Sequence, residues 1–219
     1  YFIVRYKTDP GVLQRHVPDK FYVNAGNEII VQWVKTQSTG MGQFSKVDII
    51  IPVSDDNGNH YHFALVSFMN SSAPITYGRE IYGQPQKYAH PACTVLRDTI
   101  TGTLDYSESR VATATMSYKH KQMPVQHAID YLSKRTMTVK LIPDADGGQL
   151  VAQLVEIDFS NITVQDAYEG AAAIDLIPHV HAPLADIPVR EVIGGCSFKC
   201  DLVMAGGRVY HDYLKRNNE

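Results

Sequence analysis

The chain has 219 residues, 44% of them hydrophobic, with 20 basic and 23 acidic side chains and a formal net charge of −3. That is ordinary globular composition, enough for one substantial core, so a single domain over 1–219 is expected. The near balance of charge and the lack of a Lys/Arg-rich run exclude the phosphate-neutralising surface of a nucleic-acid binder, and no apolar run approaches the roughly 18 residues that span a bilayer.

Phe2-Ile3-Val4 already reads as a strand although the sequence opens on Tyr1, so further residues upstream are expected. Residues 9–16 read as a short helix. Apolar residues then recur with period two, and β-branched or aromatic residues dominate 28–36, 43–53 and 60–69, which predicts strands. Asp55-Asp56-Asn57-Gly58-Asn59 supplies residues that tolerate positive φ, and so a turn between antiparallel neighbours. Residues 77–83 can add a helical turn or two. Ser107-Glu108-Ser109 joins strands 94–106 and 111–120. In 124–134, Val125, Ala128, Ile129 and Leu132 fall on one helical face. The run 144–148 (DADGG) joins strands 136–142 and 150–159. The fold class expected is mostly β (α+β): an antiparallel β-barrel or cone-like sheet with a few flanking helices.

The three cysteines, Cys93, Cys196 and Cys200, are an odd and sparse set for a disulfide framework, which points to a reducing compartment and hence the cytoplasm. Cys196 and Cys200 share a strand face and read as core packing. His60-Tyr61-His62 and His179-Val180-His181 each put two imidazoles on one strand face, a spacing that metal sites use, but neither has a third ligand near in sequence. No metal and no cofactor are expected. There is no Gly-rich phosphate loop and no nucleophile elbow. On the 43–53 strand, Gln43, Ser45, Val47, Ile49, Ile51 and Val53 share one mostly apolar face. Phe44, Lys46, Asp48 and Ile50 lie on the other, which is either solvent or a polar cavity.

The stretch 78–87 (GREIYGQPQK) resembles the active-site segment of the acetoacetate decarboxylase superfamily, which reads Gly-Arg-Glu, a short spacer, then Pro-Lys-Lys. The hairpin 98–106 (DTITGTLDY) and 111–121 (VATATMSYKHK), the blocks 183–191 (PLADIPVRE) and 209–214 (VYHDYL), and the opening from Tyr1-Phe2 to Val17-Pro18 are similar to the same family. The resemblance therefore covers most of the chain. It implies a β-rich fold around a pocket, usually in a homo-oligomer, acting on small keto acids through a lysine imine. Some relatives run aldol or dehydration chemistry instead. Within the hairpin, Tyr118-Lys119-His120-Lys121 reads as scaffold.

The departures fall where the chemistry should be. The first lysine of the family's pair forms the Schiff base, and Gln86 stands at its position, while Lys87 matches the second. Alignment on the glycines and on Pro52-Val53 puts Lys46 at a pocket glutamate of the family, and Gln32 at another, with a one-residue gap. The family's pocket arginine lies upstream of Tyr1. A lysine attacks a ketone only as the free amine, and an unperturbed lysine is neutral in only about one molecule in a few thousand at pH 7. Burial or a neighbouring cation must tune it. An amide such as Gln86 can orient a carbonyl or carboxylate but cannot form an imine.

Three readings stand side by side. Lys46 is a relocated imine-forming amine, with Gln86 in an orienting role; its bland alternative is a solvated strand lysine paired with Asp48. Or Lys87 is the nucleophile, which requires local rearrangement because consecutive residues of an extended segment point in opposite directions. Or no imine forms, and the pocket works by acid–base and hydrogen-bond catalysis as an isomerase, dehydratase or cyclase, or only binds a ligand. The candidate catalytic residues are Lys46, Lys87, Gln86 and Glu80. The candidate substrate-binding residues are Gln32, Arg79, Phe44 and Tyr82, with Arg79 also suited to a structural ion pair. The function expected is a lyase acting on a small keto acid or polyketide-like keto compound, in a pocket walled by 29–36, 43–53 and 78–88.

Overall fold

The computed structural model describes residues 1–215. Ten strands form the path of the larger sheet, in the spatial order Lys121–Gln122, Phe159–Gly170, Glu191–Met204, Phe2–Lys7, Glu28–Ser38, Gly42–Ser54, His60–Met69, Thr136–Pro143, Gln149–Ile157 and Arg208–Asp212. Two short strands join it off this path, Tyr22–Val23 beside Gly42–Ser54 and Gln86–Tyr88 beside His60–Met69. A second, antiparallel sheet runs Ala172–Leu176, Ser109–Ser117, Thr99–Tyr106, His90–Leu96.

The mostly β expectation holds, but the antiparallel barrel needs correction. The order of the larger sheet has two ends that do not bond to each other, and His60–Met69 pairs in parallel with both Gln86–Tyr88 and Thr136–Pro143. Parallel neighbours need a crossover of a dozen or more residues. The helix Ser72–Tyr77 and the wider π-type turn Gly78–Tyr82 supply the first, and three strands of the second sheet, His90–Leu96, Thr99–Tyr106 and Ser109–Ser117, with the helix Val125–Leu132 supply the other. The helix expected over 9–16 shrinks to one 3₁₀ turn, Gln14–His16. Pro10 and Gly11, with φ +81°, make the preceding residues a turn. The strand expected over 94–106 is broken at Arg97–Asp98, where Arg97 takes φ +56°.

Alternation along Gly42–Ser54 decides where everything else sits. Val47, Ile49, Ile51 and Val53 join Phe2, Val31, Trp33, Leu104, Ala112 and Met116 in the main core between the two sheets. The indole Nε1–H of Trp33 donates across it to Thr103 O at 3.0 Å. On the opposite face, Ile50 packs with Ile3, Ile30, Phe198 and the apolar side of Val125–Leu132. The helix thus covers the back of the large sheet, and Lys46 and Asp48 are on that side.

Asp55, in the turn predicted to join two strands, ties the C-terminal strand to the sheet. Its carboxylate accepts from the Asn57 and Asn59 amides at 2.9 Å each, from Asn59 Nδ2 at 3.0 Å, and from the Tyr61 and Tyr210 hydroxyls at 3.2 Å each. Burial alone would raise this carboxyl, but the hydrogen bonds outweigh it and hold it down at about 2. A carboxyl depressed in the folded state stabilises the fold above its unfolded value near 3.8, and this contribution fades as pH falls toward about 2. Asp55→Asn is expected to cost about 1–3 kcal/mol at neutral pH, by leaving donors facing a donor. In urea melts across pH, its deficit against the native chain should shrink through that acid window. A deficit that stayed constant down to pH 2 would show that the charge is not what matters.

Candidate active site

Three adjacent strands place one side chain each in a single row, because Gln32 lies opposite Asp48 and Asp48 opposite Ser67. All three are buried. Gln32 Nε2 donates to Asp48 Oδ2 at 2.5 Å, and the Ser67 hydroxyl donates to Asp48 Oδ1 in a very short hydrogen bond. Lys46, two residues along the same face, sets its Nζ 2.8 Å from Asp48 Oδ2, with side-chain exposures of 19% and 7% for the pair. A buried carboxylate is tolerable only when paired and hydrogen-bonded, and Asp48 meets both conditions.

The helix Val125–Leu132 closes the row from above. The Tyr131 hydroxyl donates to Gln32 Oε1 at 2.6 Å, which fixes the amide so that its nitrogen faces Asp48. Burial, then Tyr1 and Asp48, hold the Tyr131 phenol well above the usual tyrosine range, so it stays a neutral donor. His62 packs against Tyr131 with ring centroids 4.8 Å apart. Burial, then Lys134, push its imidazole down to about 3, so it is neutral at physiological pH.

These side chains line one cleft, partly open to solvent, whose enclosed part is about 40 Å³, on the scale of a few water molecules. Its polar wall is Lys46, Asp48, Gln32, Ser67, Tyr131 and Gln84; Ile50, Ala64, Leu132, Ile157 and Phe159 supply apolar surface, and Lys134 and His62 also border it.

Of the residues singled out from the sequence, Lys46 and Gln32 meet here. Phe44 is buried on the same strand face as Lys46 but outside the lining of the cleft. Gln86, 4% exposed, lies opposite Ser67 on the next strand but outside the lining of the cleft. In the orientation that satisfies its amide, the nitrogen donates to Pro74 O at 2.9 Å and Ile75 O at 3.2 Å, and the other end meets the Gln84 amide at 2.5 Å. A Cβ at Gly78 would overlap the Gln86 amide, so the first glycine of the motif makes room for it. Lys87 is exposed and points the other way, donating to His181 O at 2.8 Å. Arg79 and Glu80 are exposed on the π-type turn. Arg79 does not pair with Glu80 but donates to Gln86 O at 3.2 Å. Tyr82 is buried with Val155 and Ile157, behind the cleft lining rather than in it, its hydroxyl donating to Ala205 O at 3.0 Å.

Ser67, Tyr131 and Lys134 carry no motif that would single them out in the sequence, Gln84 falls in the spacer of the 78–87 motif, and His62 stands out there only as half of a pair. His60 is in fact exposed, its Nδ1 2.9 Å from Ser54 Oγ, whereas His62 is in the cleft. His179 and His181 have ring centroids 6.2 Å apart beside Tyr106. Among the described residues no group of three or more His, Cys, Asp or Glu is placed to hold a metal, and no helix is long and apolar enough to cross a membrane. Cys196 and Cys200 pack against the cluster under the helix, and burial pushes the Cys196 thiol up to about 11.

Comparison with known proteins agrees with this architecture. An acetoacetate decarboxylase of Bordetella avium is 36% identical over 219 residues, covering 99% of this chain and 87% of the relative. One of Acidiphilium cryptum is 37% identical over 215 residues, covering 98% and 87%. The crystal structure of acetoacetate decarboxylase from Legionella pneumophila superposes with a TM-score of 0.94 at 32% identity, covering 98% of this chain and 85% of that one. The sequence model of the family described as acetoacetate decarboxylase (ADC) matches residues 1–214. The chain belongs to the acetoacetate decarboxylase family.

Proposed function

We propose that this protein is a lyase that breaks a carbon–carbon bond at the carbon adjacent to the carbonyl of a small keto acid, with Lys46 as the imine-forming amine. The observation that carries this reading is the Lys46 amine inside the cleft, 2.8 Å from a carboxylate fixed by Gln32 and Ser67. The ammonium must lose a proton before it can attack, and Asp48 is within reach to take it. The free amine then adds to the keto carbon. Asp48 returns the proton to the departing hydroxyl, and loss of water leaves a protonated imine. As the carbon–carboxylate bond breaks, its electron pair moves into the imine, carbon dioxide departs, and an enamine remains. Protonation at carbon and addition of water release the ketone and the Lys46 amine. The names of the relatives make acetoacetate the first substrate to try.

In this reading Gln86 stands where the family keeps its Schiff-base lysine, and it acts through Gln84, whose amide it holds against the cleft wall. Lys87, turned outward onto His181, has no path to the same cleft without rotation of its strand.

The same ion pair favours a second reading. An ammonium kept against Asp48 can polarise a carbonyl while Asp48 abstracts the adjacent proton, which is isomerase, dehydratase or cyclase chemistry without a covalent step. Borohydride reduction in the presence of acetoacetate and longer keto acids, followed by mass mapping, separates the two. The covalent reading expects one reduced adduct on Lys46. Turnover with no adduct supports the second, and an adduct on Lys87 or Lys134 refutes the assignment to Lys46.

A further inference from the structure

The cleft has two cationic side chains among the described residues, Lys46 and Lys134, and the strand register places them at opposite ends. Lys46 lies opposite Met69, Asp48 opposite Ser67, Ile50 opposite Ala64 and Pro52 opposite His62. His62 pairs in turn with Thr136, and its amide donates to Arg135 O at 2.9 Å. Lys134 is therefore at the His62 end, and its charge is felt there as one of the causes that keep His62 neutral. From the Lys46 row to the Pro52 row is six residues, or about 20 Å of strand. Even with both four-carbon side chains leaning inward, the gap exceeds the single methylene that separates carbonyl and carboxylate in a β-keto acid. Apolar Ile50, Ala64, Leu132 and Ile157 line the cleft as well.

Building on the keto-acid reading of this cleft, we propose that the substrate carries a second anionic group, distal to the reacting carbonyl, that Lys134 receives: a keto dicarboxylate with an aliphatic spacer. A cation on the carboxylate that leaves would stabilise the ground state and oppose loss of carbon dioxide, whereas one on a remote group contributes binding without that penalty. Lys134 is also free to serve it, being exposed, while its neighbour Arg135 is committed to Glu156 at 2.9 Å. The neutral His62 beside Lys134 adds a hydrogen-bonding ring without a competing charge.

Saturated acids test this without any imine, so the result does not depend on whether Lys46 is a nucleophile. Calorimetric titration of the full chain with glutarate or adipate against the monocarboxylates of equal length should show the diacid binding roughly two- to fivefold tighter, the scale of one exposed ion pair. Lys134→Gln should bring that ratio to about one. Lys199→Gln, on the exposed side of Glu191–Met204, should preserve it. Equal affinities in the native chain, a ratio indifferent to Lys134→Gln, or no saturable binding of either acid overturns the proposal. A diacid preference that persists when borohydride traps nothing would leave the distal subsite standing and remove the covalent reading.

Discussion

Lys46→Met is expected to abolish both turnover of keto acids and borohydride labelling. An imine mechanism has no substitute for its amine, and loss of a covalent nucleophile costs several orders of magnitude in kcat. Methionine keeps the length and apolar stem of lysine, but it leaves Asp48 buried without its ion-pair partner. Breaking a buried pair in this way costs about 3–5 kcal/mol, so an unfolded variant would be silent for a trivial reason. Lys46→Arg removes this ambiguity. Its guanidinium keeps the cation beside Asp48, is never deprotonated, and cannot form an imine. Under the covalent reading, Lys46→Arg folds, melts near the native temperature, and is as dead as Lys46→Met. Partial activity in the arginine variant, with none in the methionine variant, would show that the charge alone is used and that the chemistry is non-covalent.

That pair of outcomes depends on a geometry only partly visible in the sequence. The period-two pattern of 43–53 is enough to sort Val47, Ile49, Ile51 and Val53 from Lys46, Asp48 and Ile50, and the structure sorts them into the main core and the helix-covered face in the same way. Alternation is a local property of a pleated strand, so local sequence carries it. What covers the second face is not local. Tyr131 and Lys134 lie some 85 residues along the chain from Lys46, and only the docking of Val125–Leu132 across the sheet brings them over Gln32 and His62. The helical pattern identifies Ala128 and Leu132 as buried but says nothing about which sheet they are buried against.

What Gln86 touches is not local either. Its strand pairs it with Ser67, at the end of the Asp48 row, while its amide turns beneath Gly78 to Pro74 O and Ile75 O, and Gln84 is the motif residue in the cleft lining. The expected barrel gives way to an open sheet because hairpin signals are read from adjacent strands, and the two parallel pairings of His60–Met69 join strands separated by long crossovers.

The same turn supplies the largest expected effect on stability. Gly83 ends the π-type turn in the left-handed region at φ +71°, and a Cβ built there would lie 2.8 Å from the Lys140 backbone nitrogen and closer still to its Cα. Two costs therefore act together in Gly83→Ala. The backbone conformation penalises any L side chain by about 1–2 kcal/mol. The added methyl also meets main chain of Thr136–Pro143, which its pairing with Gln149–Ile157 holds in place, so the obstacle cannot rotate away like a side chain. A total of about 3 kcal/mol or more is expected, at the upper end for one substitution, which in a chain of this size lowers the melting temperature by about 6–12 °C. Gly11→Ala separates the two costs, because Gly11 has φ +81° but nothing within 4 Å of where the new methyl would sit; it should show the conformational cost alone. Similar losses in the two variants would mean that the strand beside Gly83 yields, and that the turn is held by its dihedral angle and not by contact. A loss at Gly83 several times larger, accompanied by reduced affinity for saturated acids, would show that the packing of this one glycine against Lys140 also sets where Gln84 meets the cleft.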